Sequence, residues 1–165
     1  MNKIIFLDID GVLNWHDTFI DNYQERLMLN KYLDESIESR TKIWMCDIEY
    51  EKVMLLKYIC DVTGAKIVVS SSWRLSKPYI FIEEKLIQMG LPIIGTTDFI
   101  YNNRGDEIRD YLNNHKVDRF IILDDEVFPD FNDLVNYLVK TDFYNKGLDE
   151  VHVEEAIKIL SLKNN

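Results

Sequence analysis

The apolar residues of this chain fall into short continuous runs, separated by stretches of helical spacing. The first run, Lys3-Ile4-Ile5-Phe6-Leu7, is apolar at every position after the lysine. A run of that kind, closed soon after by Gly11, predicts a strand buried on both faces. Comparable runs stand at Lys66-Ile67-Val68-Val69, Pro92-Ile93-Ile94-Gly95, Arg119-Phe120-Ile121-Ile122-Leu123 and Tyr137-Leu138-Val139. Between Ile48 and Thr63 the apolar positions Val53, Leu55, Leu56, Ile59 and Cys60 recur at helical spacing, and Gly64 stands where a helix C-cap glycine belongs. Further helices are predicted from Ile80 to Met89, between Pro78 and Gly90, and from Gly105 to His115. A last helix runs from Leu148-Asp149 through Leu160, and Lys163-Asn164-Asn165 is expected to fray.

Strand and helix thus alternate, which predicts an α/β fold: a three-layer, Rossmann-like parallel sheet covered on both faces. Binding crevices of such sheets lie at the carboxyl ends of the strands. The stretch from Trp15 to Asp47 breaks the regularity. Its aromatics are loosely spaced among charges; Asn22–Tyr32 reads as helix and Lys42-Ile43-Trp44-Met45-Cys46 as a short strand. Residues 15–47 are expected to form a small flap, or minimal cap, inserted after the first strand. Such a segment either excludes water from a site beneath it or packs as ordinary surface. Nothing resembles a repeat or a linker, so 1–165 is expected to be one domain, long enough for a proper core.

Three of the predicted strands end in chemically pointed residues. Asp8 and Asp10 follow the first, Ser70 and Ser71 the second, Asp124 and Asp125 the fourth. At a strand's end, where Gly11 lets the backbone turn, Asp8 and Asp10 project into the crevice. Carboxylates so close repel unless a cation joins them, and a hard divalent ion with oxygen ligands, Mg²⁺, is the simplest partner. Composition narrows the rest. The chain is 47% hydrophobic, enough to fold without disulfides or a structural metal, and Cys46 and Cys60 have neither Cys-x-x-Cys nor zinc spacing. They are expected to be reduced and structural. A net charge of −10 argues against extensive duplex contacts or an anionic membrane surface, while leaving room for a small basic pocket. No apolar run reaches transmembrane length and the chain opens on a core strand, so a cytoplasmic protein is expected.

The run Asp8-Ile9-Asp10-Gly11-Val12-Leu13-Asn14, the serine after the second strand, Arg104 opening the helix before the fourth strand, and Asp124-Asp125 after it together resemble the four motifs of the haloacid dehalogenase (HAD) superfamily. The order agrees over nearly the whole chain, although the family more often has lysine where Arg104 stands. Val69-Ser70-Ser71-Ser72-Trp73-Arg74, Arg104-Gly105-Asp106-Glu107-Ile108 and the late Lys140-Thr141-Asp142 with Gly147-Leu148 resemble the small HAD domains of nucleic-acid repair proteins and of polynucleotide 3′-phosphatases.

The resemblance implies a Mg²⁺-dependent phosphomonoesterase. Asp8 would be the nucleophile, forming an aspartyl-phosphate, and Asp10 the general acid and base. Mg²⁺ would be held by Asp8, Asp10 (through its backbone carbonyl) and one or both of Asp124 and Asp125. Ser70 or Ser71, the backbone about Gly11, and Arg104 would hold the phosphoryl oxygens, with Ser70 favoured as the first hydroxyl after the strand. Arg74 is a second candidate for substrate phosphate or else a surface salt bridge. Trp73 is either a stacking ring or core; both residues are expected at the rim of an open site. Asn14 would brace the loop, and His16 is read as solvated. The substrate would be a phosphorylated small molecule, a nucleotide or a nucleic-acid end. Two other readings compete: a receiver-type phosphoaspartate signalling module, and a catalytically silent binding domain. A receiver, however, carries its phosphoacceptor after a middle strand, where this chain has Ser70, and all four motif positions are filled.

Overall fold

The first apolar run is the central strand of the molecule. The computed structural model describes residues 1–100 and 103–162; the tail expected to fray, Lys163–Asn165, lies outside them. In β1 (Lys3–Leu7), Ile4, Ile5, Phe6 and Leu7 are fully buried. Ile5 and Leu7 enter one core, Ile4 and Phe6 the other, as the two-residue period of a strand requires. Burial on both faces is why the run is continuous rather than alternating.

Four further strands complete the sheet: β2 (Lys66–Val69), β3 (Ile93–Thr96), β4 (Arg119–Asp124) and β5 (Leu138–Lys140). All pairs are parallel, in the order β3-β2-β1-β4-β5. Leu7 is level with Val69 on one side and Leu123 on the other, so β1, β2 and β4 end together. The larger core lies under α4 (Tyr50–Thr63), α5 (Tyr79–Gln88) and α7 (Glu150–Ser161), where Leu56, Ile82 and Ala156 meet Ile5 and Leu7. The second core lies under α6 (Arg104–Asn114), with Ile108 joined by Phe131 and Leu134 from the β4–β5 connection. The sheet is therefore sandwiched between helices, as the alternation predicts. No described helix is long and apolar enough to cross a membrane.

The insertion after β1 is helical throughout: α1 (His16–Asp21), α2 (Tyr23–Tyr32) and α3 (Ile37–Met45). The short strand expected at Lys42–Cys46 is corrected; its residues form the last turn of α3 and the cap that follows. A five-residue apolar run fits either state, and local signals decide it. Ser36 caps the helix by accepting from Ser39 N, and Lys42 pairs with Glu38 one turn back at 2.9 Å. Trp44 and Met45 turn inward onto the larger core. The insertion is pinned at its base by Glu49, whose Oε1 accepts from Trp15 Nε1 at 2.9 Å and from Thr18 Oγ1 at 2.5 Å.

Strand order reverses beside β1: β2 and β3 build one way, β4 and β5 the other. The crevice at such a reversal opens above the ends of β1 and β4. The loop leaving β1 is held there by Gly11 N donating to Asn14 Oδ1 at 2.9 Å, and by Leu148 N donating to Val12 O at 3.1 Å. Gly147 presses onto the same loop. Its φ is +59°, and a Cβ there would stand 2.8 Å from Asn14 O and 3.1 Å from Gly11 O. Gly147→Ala is therefore expected to cost about 1–3 kcal/mol, read as a fall in Tm of about 3–10 °C. An unchanged Tm would show that the contact is not tight.

Candidate active site

Asp8 is the first residue beyond β1, and its backbone N–H continues the ladder by donating to Leu123 O at 2.9 Å. Asp124 is the last residue of β4, and Asp125 follows it. Side-chain oxygens of Asp8, Asp124 and Asp125 lie within 4.8 Å of one another, although Asp124 is fully buried and Asp8 nearly so. Arg104, the first residue of α6, reaches this group. Its Nη1 stands 2.9 Å from Asp124 Oδ2 and 3.4 Å from Asp8 Oδ1, and its guanidinium lies 5.0 Å above the Phe128 ring. Asp124 Oδ1 accepts from Glu126 N at 3.0 Å. One arginine thus faces three carboxylates.

Burial pushes the Asp8 carboxyl upward, and Arg104 pulls it back. Burial and then the Asp8 charge push Asp124 well above the usual carboxylate range. The same two causes, in the same order, raise Asp125 to about 6. Gly11 permits this crowding. Its φ is +71°, and a Cβ there would strike the Asp125 side chain.

The Asp10 carboxylate stands outside the three-acid group. Its Oδ1 accepts from Asn14 Nδ2 at 2.9 Å, and its Oδ2 accepts from Trp73 Nε1 at 2.8 Å. It does line, with Asp8, Arg104 and Asp125, a cleft of 360 Å³ above the strand ends. Asn14, fully buried, braces the loop as its position implies.

A family model for the HAD domain in Swiss Army Knife RNA repair proteins matches residues 4–153. The chain belongs to this HAD family. No curated protein and no solved structure matches it. Membership supports a HAD-type, phosphatase-like hydrolase function and an RNA-repair-like domain. The matched span runs from β1 into α7 and takes in every acid of the cleft.

In this HAD domain both Ser70 N and Ser71 N donate to Leu7 O, at 2.9 and 3.2 Å. The Ser71 hydroxyl is among the groups that draw the Asp8 carboxyl down. Ser70 continues the β2 ladder by donating to Leu7 O at 2.9 Å; its hydroxyl is fully buried and has no hydrogen-bond partner among the described residues. Arg74 lines the cleft beside Asp8 and Arg104, but the expectation that it stands at an exposed rim or forms a surface bridge is corrected. Its side chain is 4% exposed and its Nη2 stands 2.6 Å from Glu107 Oε2, itself buried. Its Nε donates to Thr97 O at 3.0 Å, and its Nη1 donates to Ser70 O and Ser71 O. Each of its three nitrogens has a partner, because the carbonyls that follow β2 and β3 converge there. Trp73 is also drawn in from the rim, packing on Trp44 at 4.8 Å between ring centroids while its indole N–H holds Asp10. Neither the Arg74–Glu107 pair nor the Trp73–Asp10 bond has a sequence signal, since each joins residues more than 30 positions apart. His16 is exposed, with Nδ1 3.0 Å from Asp17 Oδ1. Cys46 and Cys60 are both free.

A divalent cation fits the acid group on two grounds: the donors are hard carboxylate oxygens, and their charge exceeds what Arg104 neutralises. This sets a pH dependence of stability. Asp125 is raised to about 6 from an ordinary 3.8. Between about pH 4 and 6 the unfolded chain has lost that proton while the folded one keeps it, so stability without metal falls as pH rises through this window. Burial raises Asp47 to about 6 as well, which adds a fall of the same sign. Bound Mg²⁺ would offset the Asp125 share alone. The Tm gained on adding Mg²⁺ to chelator-treated protein is therefore expected to be larger near pH 7 than near pH 5. Identical Tm values with and without Mg²⁺ at pH 7 would exclude a cation at these acids.

Proposed function

We propose that this HAD domain is a Mg²⁺-dependent phosphomonoesterase that acts on nucleic-acid 3′-phosphate ends or nucleotides through an aspartyl-phosphate on Asp8. The observation that carries the reading is the setting of Asp8. It is a carboxylate at the end of the central strand, facing a cleft, with Arg104, Ser71 and two further acids around it.

An Asp8 oxygen would attack phosphorus as the ester bond to the leaving oxygen breaks, and Asp10 would protonate that oxygen. Water would then attack the same phosphorus, giving its proton to Asp10; phosphate leaves and the Asp8 carboxylate is restored. Asn14 and Trp73 grip both Asp10 oxygens and so fix where the proton is delivered. Arg104 and the Ser71 hydroxyl would hold phosphoryl oxygens, where charge spreads in the transition state. Asp124 aims Arg104. Asp8, Asp124 and Asp125 with the Asp10 carbonyl would hold Mg²⁺, which supplies positive charge to let an anionic ester approach an anionic nucleophile. Arg74, in the cleft wall, would brace the Ser70–Ser71 turn through the Ser70 and Ser71 carbonyls. The sheet order β3-β2-β1-β4-β5 differs from the 2-1-3-4-5 order of receiver-type folds, which separates this reading from a signalling module.

Asp8→Asn is expected to lower turnover of an aryl phosphate by several powers of ten, about 1.4 kcal/mol of barrier for each, with Tm preserved. A folded variant retaining substantial turnover would sink the assignment. Asp10→Asn should cost much more on a nucleoside phosphate than on an aryl phosphate, whose leaving oxygen needs little protonation. Equal losses on the two esters would remove Asp10 as the proton donor. Comparing nucleotides, 3′- and 5′-phosphorylated oligonucleotides and sugar phosphates then ranks the substrates.

A further inference from the structure

Two more cavities continue from the cleft. The first, of 410 Å³, lies between the α1–α3 insertion and the strand ends, and Phe19, Trp44, Trp73 and Phe143 line it. Asp10 lines both this cavity and the cleft, so the aromatic cavity opens on the side from which the proposed proton donor works. Its rings are already ordered in pairs, Trp44 against Trp73 at 4.8 Å and Phe19 against Phe143 at 5.8 Å.

The second cavity, also of 410 Å³, has Arg26, Arg40 and Lys77 in its wall, and no acid. Arg26 and Trp44 line it and the aromatic cavity alike, so the two adjoin. Arg26 is neutralised by Asp47 at 2.9 Å. Arg40 and Lys77 are exposed, and no side-chain hydrogen bond or ion pair joins either to another described residue. On a chain of net charge −10, a cavity whose charged wall residues are all cations favours an anion.

Resting on the phosphomonoesterase reading, we propose that these cavities form a track for the substrate strand: terminal phosphate in the cleft, last nucleoside between the aromatic rings, and the next backbone phosphate against Arg40 and Lys77. The sequence of sites (acid cleft, rings, cations) matches the sequence phosphate, base, phosphate along a nucleic-acid strand. Rings that stack bases, beside cations that follow the backbone, are the usual means of holding single strands. The acidic remainder of the protein limits the track to about two nucleotides, because each further phosphate would meet like charge.

The test compares a nucleoside 3′-monophosphate with a dinucleotide carrying the same 3′-terminal phosphate, and repeats the pair in the 5′ series. In whichever series turns over faster, kcat/KM should favour the dinucleotide by about tenfold or more. The advantage should shrink with added salt. In the double variant Arg40→Ala/Lys77→Ala the ratio should fall to within about twofold, whereas Lys158→Ala, on α7, should leave it in place. If esters are hydrolysed but the dinucleotide has no advantage, or keeps it in the double variant, the track is overturned and the phosphatase reading stands. If no ester is hydrolysed, the phosphatase reading falls. The track is then judged by dinucleotide binding, followed through tryptophan fluorescence. Affinity about tenfold weaker in the double variant supports it, and equal affinity overturns it.

Discussion

Three carboxylates held within 4.8 Å of one another at the ends of β1 and β4, against a single arginine, are the constraint around which the molecule is arranged. Like charges in a buried place are costly, and the surroundings answer that cost locally. Asp124 is satisfied by Arg104 and by the Glu126 amide. Arg104 is presented by the start of α6 and backed by Phe128, which keeps it desolvated and directed at the acids. What one guanidinium cannot neutralise remains as a demand for positive charge. A demand that survives folding suits a site that receives a cation and an anionic substrate together.

Support for this centre comes from contacts at which small changes have no room. Gly11 is bare because Asp125 occupies the space a Cβ would take, and Gly147 is bare because it lies on the carbonyls of the Asp10 loop. Arg74 and Glu107, both buried, join the ends of β2 and β3 to α6, so the serine turn and the arginine that faces Asp8 share one brace. On the opposite side Trp73 links Asp10 to the helical insertion through Trp44. The candidate site and the insertion are thereby mechanically joined, and the proposed nucleotide track runs along that joint.

The sheet was legible because a strand buried on both faces leaves a continuous apolar run, and β1, β2 and β4 all do so. The acids were legible because they follow those runs directly. Legibility failed where tertiary contact decides. Lys42–Cys46 is too short a run to settle its own state, and its helix is set by Ser36 and by Trp44 packing inward. The serine register is not legible in three consecutive serines, since Ser70 and Ser71 both donate a backbone N–H to Leu7 O and differ only in where their hydroxyls lie. The burial of Arg74 was not legible because its partners are Glu107, far along the chain, and three backbone carbonyls. An overall charge of −10 likewise hides a local cluster of cations, since a sum has no geometry.

The central claim is that Asp8 takes the phosphoryl group. The most direct measurement mixes the protein with a hydrolysable phosphate ester and Mg²⁺, quenches in acid before the first turnover is complete, and locates bound phosphoryl by peptide mass. The account predicts phosphorylation on the peptide that contains Asp8, removable by hydroxylamine as an acyl phosphate is, and absent from Asp8→Asn. Turnover that proceeds with the Asp8 peptide unmodified, or with the phosphoryl group on another residue, would contradict it.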